Sequence, residues 1–324
     1  MPRLLARYLM LGAAVVVLNF ALPRLLPGDP LDQNGNGLSA AATTLTRAQQ
    51  AQLRTYYHLD QPLAGQFIAY LRDLAHGNLG WSISQGAPVG QLIGERLPWT
   101  LALVLTALLV AGVGGVLLGL LAAWRGGRTD WLVVSLCSAL TALPEFLVAM
   151  ALLLLLSVGL GWFPLQGGQT PFAGGPFGAA GAGPLADVVW HLTLPALTMV
   201  LVTTAAFVLV TRGAVLMVLA EPYLVTARAK GLSEARVAFR HAAPNALLPV
   251  LTLFGLRLGQ VLGGAIVVER VYSVPGLGYL AFQAISARDY PVLQAVFLLG
   301  SLGVLLANMT LDLLYLRLEP RRGP

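Results

Sequence analysis

The chain has 324 residues, 57% of them hydrophobic and only 10% charged, with a formal net charge of +6. So little charge cannot coat a soluble globule of this size, which excludes a soluble enzyme or binding module and predicts a membrane protein. The positive balance calls for no nucleic-acid partner, because membrane topology accounts for it.

A bilayer core of roughly 30 Å takes about 20 apolar residues in helix. Six runs meet that length, near residues 8–26, 98–124, 131–161, 192–217, 246–268 and 291–316. They predict an all-α membrane protein with six transmembrane helices. The first run is flanked by Arg3, Arg7 and Arg24, and Arg24 would snorkel to the interface. The alternative, a cleaved signal peptide, is disfavoured because "ALPRLLPGDP" offers no small-x-small cleavage site. Residues 27–97 then form a small helical insert. In it Asp60 can cap a helix with Pro62 in its first turn, and Leu63, Phe67, Tyr70, Leu71 and Leu74 share a face.

The run from Leu97 to Trp124 carries no formal charge. The third run contains Pro144 and Glu145 near its middle, where the proline should kink the helix and free a carbonyl. A glycine- and proline-rich loop, "FPLQGGQTPFAGGPFGAAGAGPLADVVWH", precedes the fourth run. The fifth presents Gly255, Gly259 and Gly263 on one face, with Arg257 about 200° around the helix from it. "YSVPGLGYLAFQ" reads as a short re-entrant or surface helix, and Asp312 near the end of the last run is placed to meet Arg317. The expected divisions are 1–26, an N-terminal span; 27–97, the insert; 98–317, the core, with a cytoplasmic loop at 219–245; and 318–324, a tail.

Orientation follows the basic residues. With the N-terminus inside, Arg3, Arg7, Arg125, Arg128, Arg212, Arg228, Lys230, Arg236, Arg240, Arg317, Arg321 and Arg322 are cytoplasmic. Arg24, Arg47, Arg54, Arg72, Arg96, Arg270 and Arg288 are spread over much longer external segments that are near neutral. Both termini are then cytoplasmic.

The largest internal loop holds the chain's one lysine, in "YLVTARAKGLSEARVAFRHAAPN". Pro222 suits a first helical position and Glu221 complements the helix N-terminus. Arg228 and Lys230 favour the last turn, and Gly231 suits the left-handed residue that ends a helix. The result is a helix of about nine residues, roughly 13 Å long, too short to persist alone in water. Either the loop or a partner must hold it. Ser233 could cap a second short helix, obstructed by Pro244. On spacing alone this is equally a re-entry loop carrying inside charges or a docking element.

One cysteine, Cys137, allows no intrachain disulfide, and His58, His76, His191 and His241 show no ligand spacing. No metal site is expected. Glu145 and Arg257 are ionisable groups at mid-membrane, hence candidates for a translocation pathway together with Pro144. The competing reading makes the two charges a structural ion pair. An intramembrane hydrolase would need a histidine or a second carboxylate at that depth and is disfavoured. A non-transport membrane scaffold is the remaining alternative class.

The loop resembles the cytoplasmic signature of ABC importer permeases, a Glu-Ala-Ala triplet, three residues, glycine, then a distal proline. With Gly231 aligned, Val225, Thr226 and Ala227 fall on the triplet and Pro244 on the proline; Val225 replaces the acid. "RLLPGDP", "LDQPLAGQFIAYLRDLAHGNLGWSISQGAPV", "ERLPWTLAL" and "VERVYSVPGLGYLAFQAISARDYPVLQAV" extend the resemblance over nearly the whole chain, to the dipeptide, oligopeptide and nickel importer branch. The resemblance implies a type I ABC importer permease fold and a bacterial or archaeal inner membrane. It implies a coupling helix within Glu221 to Gly231, including Pro222, Tyr223, Thr226, Ala227, Arg228 and Lys230, that docks on an ATPase. It also implies a homologous second permease, two cytoplasmic ATPases and an extracytoplasmic binding protein. The expected activity is alternating-access transport of di- and oligopeptides, with nickel chelates or glutathione as alternatives. The chain itself is expected to be non-catalytic and to hold no cofactor, ATP and Mg being bound by the partner ATPases. Consistent with this, a P-loop lysine is followed by Ser or Thr, whereas Lys230 is followed by Gly231.

Overall fold

The computed structural model describes residues 2–25, 61–82, 84–170, 183–261 and 265–318. The expectations for Asp60, Gly263 and the tail from 319 lie outside the described residues.

Helix α1 spans Pro2–Leu25. Its inner face is pinned to the last helix by a reciprocal clasp, in which the Asn19 amide donates to the Gln294 carbonyl at 2.8 Å and the Gln294 amide to the Asn19 carbonyl at 3.1 Å. Asp312 accepts the Tyr8 hydroxyl of α1 at 2.8 Å; the side chain of Arg317, its expected partner, lies outside the described residues.

Helix α2, Leu63–Ala75, begins after Pro62, which occupies the cap position rather than the first turn. Phe20 of α1 packs on Phe67 and Tyr70 with ring centroids 5.0 and 5.7 Å apart. Leu63 and Leu71 of the expected apolar face stay exposed. A two-residue ribbon follows, β1 Trp81–Ser82 antiparallel to β2 Ala87–Pro88, with Trp81 opposite Pro88. The all-α expectation therefore needs this small amendment. Asp289 fastens the ribbon to the core: its Oδ2 accepts from the Ser82 hydroxyl at 2.6 Å, the Ser84 hydroxyl at 2.7 Å and the Ser84 backbone N–H at 3.0 Å.

Helix α3, Val89–Arg125, starts nine residues before the expected 98 and carries Pro98 inside it, so the 97/98 division falls within one helix. At 37 residues it is about 55 Å long and extends well beyond an apolar core. Its main partner is α6, Gly183–Leu219, another 37-residue helix. A Cβ on Gly115 would meet Phe207, and one on Gly119 would lie 2.7 Å from Thr211 and 2.8 Å from the Val208 carbonyl, so these glycines set the approach of the two backbones.

The third apolar run is broken far more sharply than a proline kink. Helix α4, Gly127–Ala142, and helix α5, Glu145–Leu152, the latter continued by a π turn Leu153–Gly159, meet at 100°. Leu143 and Pro144 between them have extended backbones, with ψ of 130° and 136°, because proline disfavours the α region for the residue before it.

After the loop that follows α6, α9 covers Ala243–Gln260, followed by α10 Ile266–Val271, α11 Leu277–Ala287 and α12 Tyr290–Leu318. The glycine face of α9 packs as expected: a Cβ on Gly255 would collide with Leu311, and one on Gly259 would lie 3.2 Å from the Val304 backbone of α12. Helix α11 is no surface helix. Leu277, Leu280, Ala281 and Ala284 are buried with Val89, Leu92, Ile93, Val292 and Val296 in a core between α3 and α12.

Four helices are long and apolar enough to cross a membrane, and the bent pair makes a fifth candidate. The chain is a multi-pass membrane protein.

Candidate functional site

The loop at 219–245 is built on α7, Pro222–Ala229. Glu221 turns extended, with ψ of 138°, after its N–H closes a last bond to the Val218 carbonyl at 2.9 Å, so α6 ends and a new helix axis begins. Pro222 takes the first helical position, and Glu221 is the cap residue without a side-chain capping bond. At the other end Lys230 is the C-cap, one residue past the last turn, and Gly231 has φ of +75°. The Gly231 N–H donates to the Arg228 carbonyl at 2.9 Å and the Leu232 N–H to the Ala227 carbonyl at 3.4 Å. These two bonds form a Schellman motif, which requires the left-handed residue glycine supplies.

Which partner holds so short a helix is answered by its inner face. Leu224 and Ala227, three residues apart, are buried with Val237 and Ala242 against Trp124, Val218, Leu219 and Leu232. The loop folds onto the ends of α3 and α6, and residues of this chain cover that face of α7. Its other face is open: Val225 is 62% exposed, and Pro222, Tyr223, Thr226, Arg228 and Lys230 are exposed too. The Tyr223 hydroxyl accepts from the Asn245 amide at 2.7 Å, and the Arg228 Nε donates to Glu234 at 3.1 Å. Pro244 does not obstruct the chain. Helix α8, Glu234–Arg236, runs through a π turn, Val237–Ala242, into α9, where Pro244 lies in the first turn and its missing N–H costs nothing.

Glu145 begins α5 and is half-buried; Arg257 is exposed on α9, away from the face packed on α12. Among the described residues the ion pairs are Arg212 with Asp130, Arg228 with Glu234 and His191 with Asp187, so Glu145 and Arg257 form none. Helix α5 packs on α6 and α10, while α9 packs on α12 and α6, leaving the two charges on elements that share α6 as a wall.

Several polar groups escaped the sequence reading. Arg212 of α6 binds Asp130 of α4 through Nε to Oδ1 and, at 2.6 Å, through a second nitrogen to Oδ2. Glu269 of α10 is fully buried, accepting the Thr100 hydroxyl at 2.8 Å and the Tyr279 N–H at 2.9 Å, while Thr100 accepts the Leu277 N–H at 2.8 Å. Burial pushes the Glu269 carboxyl above its usual range, opposed by these hydrogen bonds. Tyr272 bridges the Thr198 hydroxyl of α6 and the Ala149 carbonyl of α5, at 2.8 and 2.9 Å. The available signal for Glu269 was an acid directly after the apolar Ile266, Val267 and Val268 and shortly before "YSVPGLG", where a buried carboxylate can satisfy loop amides.

Comparison with known proteins gives this geometry a family. The model of the binding-protein-dependent transport system inner membrane component family matches residues 115–324. The chain is 40% identical over 318 residues to a di/tripeptide transport system permease protein of Pseudomonas aeruginosa, covering 95% of this chain and 93% of the relative. It is 35% identical over 310 residues to a probable peptide ABC transporter permease protein of Sinorhizobium fredii, covering 95% and 94%. It is 37% identical over 308 residues to the glutathione transport system permease protein of Escherichia coli K12, covering 94% and 92%. The chain belongs to the family of inner membrane components of binding-protein-dependent transport systems.

Proposed function

We propose that this chain is one of two homologous permease subunits of an ATP-driven importer of di- and oligopeptides in a bacterial or archaeal inner membrane. Six spans follow when α9 and the bent pair α4 and α5, taken as one, join the four long helices, with both termini cytoplasmic. The observation that carries the reading is α7: a short helix anchored by Leu224 and Ala227, terminated at Gly231, with an uncovered face at the inner ends of α3 and α6. Such an element suits docking in a groove of a cytoplasmic ATPase, with Glu221, Pro222, Tyr223, Thr226, Arg228 and Lys230 as the contact set and Ala227, Gly231 and Pro244 shaping it.

Two ATPases would bind ATP and Mg and close on each other, α7 would carry that motion to α6 and α9, and the cavity would alternate between inward and outward openings. This division of labour fits a chain whose only lysine lacks the P-loop context. Pro144, Glu145 and Arg257 belong to the pathway, and a binding protein delivers cargo on the external face. Peptide cargo is favoured by the di/tripeptide relative; glutathione, itself a tripeptide, is the second reading, supported by the Escherichia coli relative.

The test is uptake of labelled trialanine by proteoliposomes holding both permeases, the ATPases and the binding protein. Uptake should need ATP and vanish when this chain is omitted. Vesicles that hydrolyse ATP in response to the loaded binding protein yet import no peptide would overturn the reading.

A further inference from the structure

Helix α2 stands at one end of a membrane span with an apolar side left bare. Ala64, Ile68, Leu71 and Ala75, spaced four, three and four residues apart, form a ridge along it. All four are exposed, Ile68 by 66% and Leu71 by 40%. The adjoining face, with Phe67 and Tyr70, is packed on Phe20 of α1. Arg72 flanks the ridge on the side away from that contact; it is exposed and, among the described residues, in no ion pair.

Two sets of contacts fix the depth of this helix. Phe20 is next to the last residue of the apolar window Leu4–Ala21 of α1, so α2 packs where the apolar span ends. The ribbon after α2 is tied through Ser82 and Ser84 to Asp289, directly before α12 begins at Tyr290, and the clasp between Asn19 and Gln294 sets those two span ends at one level. Further along α1, Leu9, Met10, Val17 and Leu18 are exposed, and on a membrane span such side chains meet acyl chains. The ridge adjoins the face packed on Phe20 and so continues that apolar surface at headgroup level. Trp81, 40% exposed on the ribbon, is the residue type that gathers at this boundary. A soluble binding protein would have to enter the headgroup layer to cover the ridge, whereas lipid is already there. We propose that α2 is an interfacial helix, with Ala64, Ile68, Leu71 and Ala75 seated between headgroups and acyl chains and Arg72 reaching a lipid phosphate. Arg72 is one turn from Ile68, so its stem can lie on apolar surface while its planar fork meets the phosphate. In the proposed orientation this is the outer leaflet.

Spin labels read the depth directly. In a Cys137→Ser background, the full chain with its partner subunits carries a nitroxide at Ile68→Cys, Leu71→Cys or His76→Cys, in vesicles of phosphatidylethanolamine and phosphatidylglycerol. Oxygen concentrates among acyl chains and a nickel chelate stays in water, so their relaxing effects separate lipid, water and protein surroundings. Labels at Ile68 and Leu71 should be relaxed by oxygen and shielded from the chelate, at a depth of about 5–10 Å. The label at His76, exposed off the ridge, should show the converse. Arg72→Glu should raise access of the chelate to the Ile68 label about fivefold, the weight of one basic residue at a membrane surface, and Arg72→Lys should raise it less. Unchanged access in Arg72→Glu would remove the phosphate contact. Chelate access at Ile68 and Leu71 equal to that at His76 would overturn the interfacial helix. So would shielding from oxygen as well as from chelate, which marks a protein cover, or shielding that begins only when the binding protein is added. The two ridge positions are labelled separately, so a variant that fails to fold leaves the other to decide. The readout needs no transport, and its outcome is independent of the importer reading.

Discussion

Gly231 and Glu269 illustrate opposite ends of what single residues disclose. Gly231 announced its role in the sequence, because a glycine after a short helix with basic residues in its last turn has one common use, and φ of +75° with two Schellman bonds is that use. Nothing lies within 4 Å of a Cβ built there, so a substitution is penalised by backbone conformation and not by a clash. Gly231→Val should strain the loop by at least about 1–2 kcal/mol, the cost of an L-residue in the left-handed region. ATP hydrolysis by the assembled complex should persist while peptide uptake falls severalfold; normal uptake would remove Gly231 from the coupling path. Glu269 left only its place before a glycine- and proline-rich loop as a trace in the sequence, since its partners Thr100 and Tyr279 come from elements far along the chain or across a loop. Glu269→Ala leaves buried donors unmatched, at about 1–3 kcal/mol each, and should lower the detergent-solubilised thermal midpoint, whereas Thr100→Val should do so less.

Helices were legible where one rule decided them and obscure where two competed. The apolar runs near 98–124 and 192–217 were found because hydropathy is uniform there, but α3 begins at Val89 and α6 reaches back at least to Gly183, in polar or glycine-rich sequence that hydropathy reads as loop. The third run is as apolar as a span should be, and hydropathy carries no information about direction; only the proline rule hinted at the turn, and it underestimated a 100° bend. The fifth run's glycine face was found by its spacing of four. The same spacing, Gly115 to Gly119, governs the more extensive α3 and α6 contact and was passed over within a uniformly apolar helix. Gly115→Leu would drive a side chain into Phe207 and the Thr204 carbonyl, and should abolish assembly of the folded permease in detergent, while Gly114→Leu, with open space around it, should be tolerated. Comparable yields of monodisperse protein from both variants would contradict that packing.

At the scale of the whole molecule, charge placement predicts which face would meet the proposed ATPases. The chain's single lysine makes this directly measurable, because Lys230 is exposed and no other side chain carries a primary amine. A membrane-impermeant amine reagent should modify Lys230 in inverted vesicles and spare it in right-side-out ones; the reverse pattern would invert the topology. The central claim is narrower still, that the open face of α7 lies in an ATPase groove. Cysteine cross-linking tests it most directly, since Cys137 is the only native cysteine and is buried. In a Cys137→Ser background, Val225→Cys on the exposed face should cross-link to a cysteine placed in the ATPase groove, and Leu224→Cys on the buried face should not. Cross-linking at position 225 that varies with bound nucleotide is the predicted result. Absence of that cross-link in a complex that still imports peptide would contradict the account.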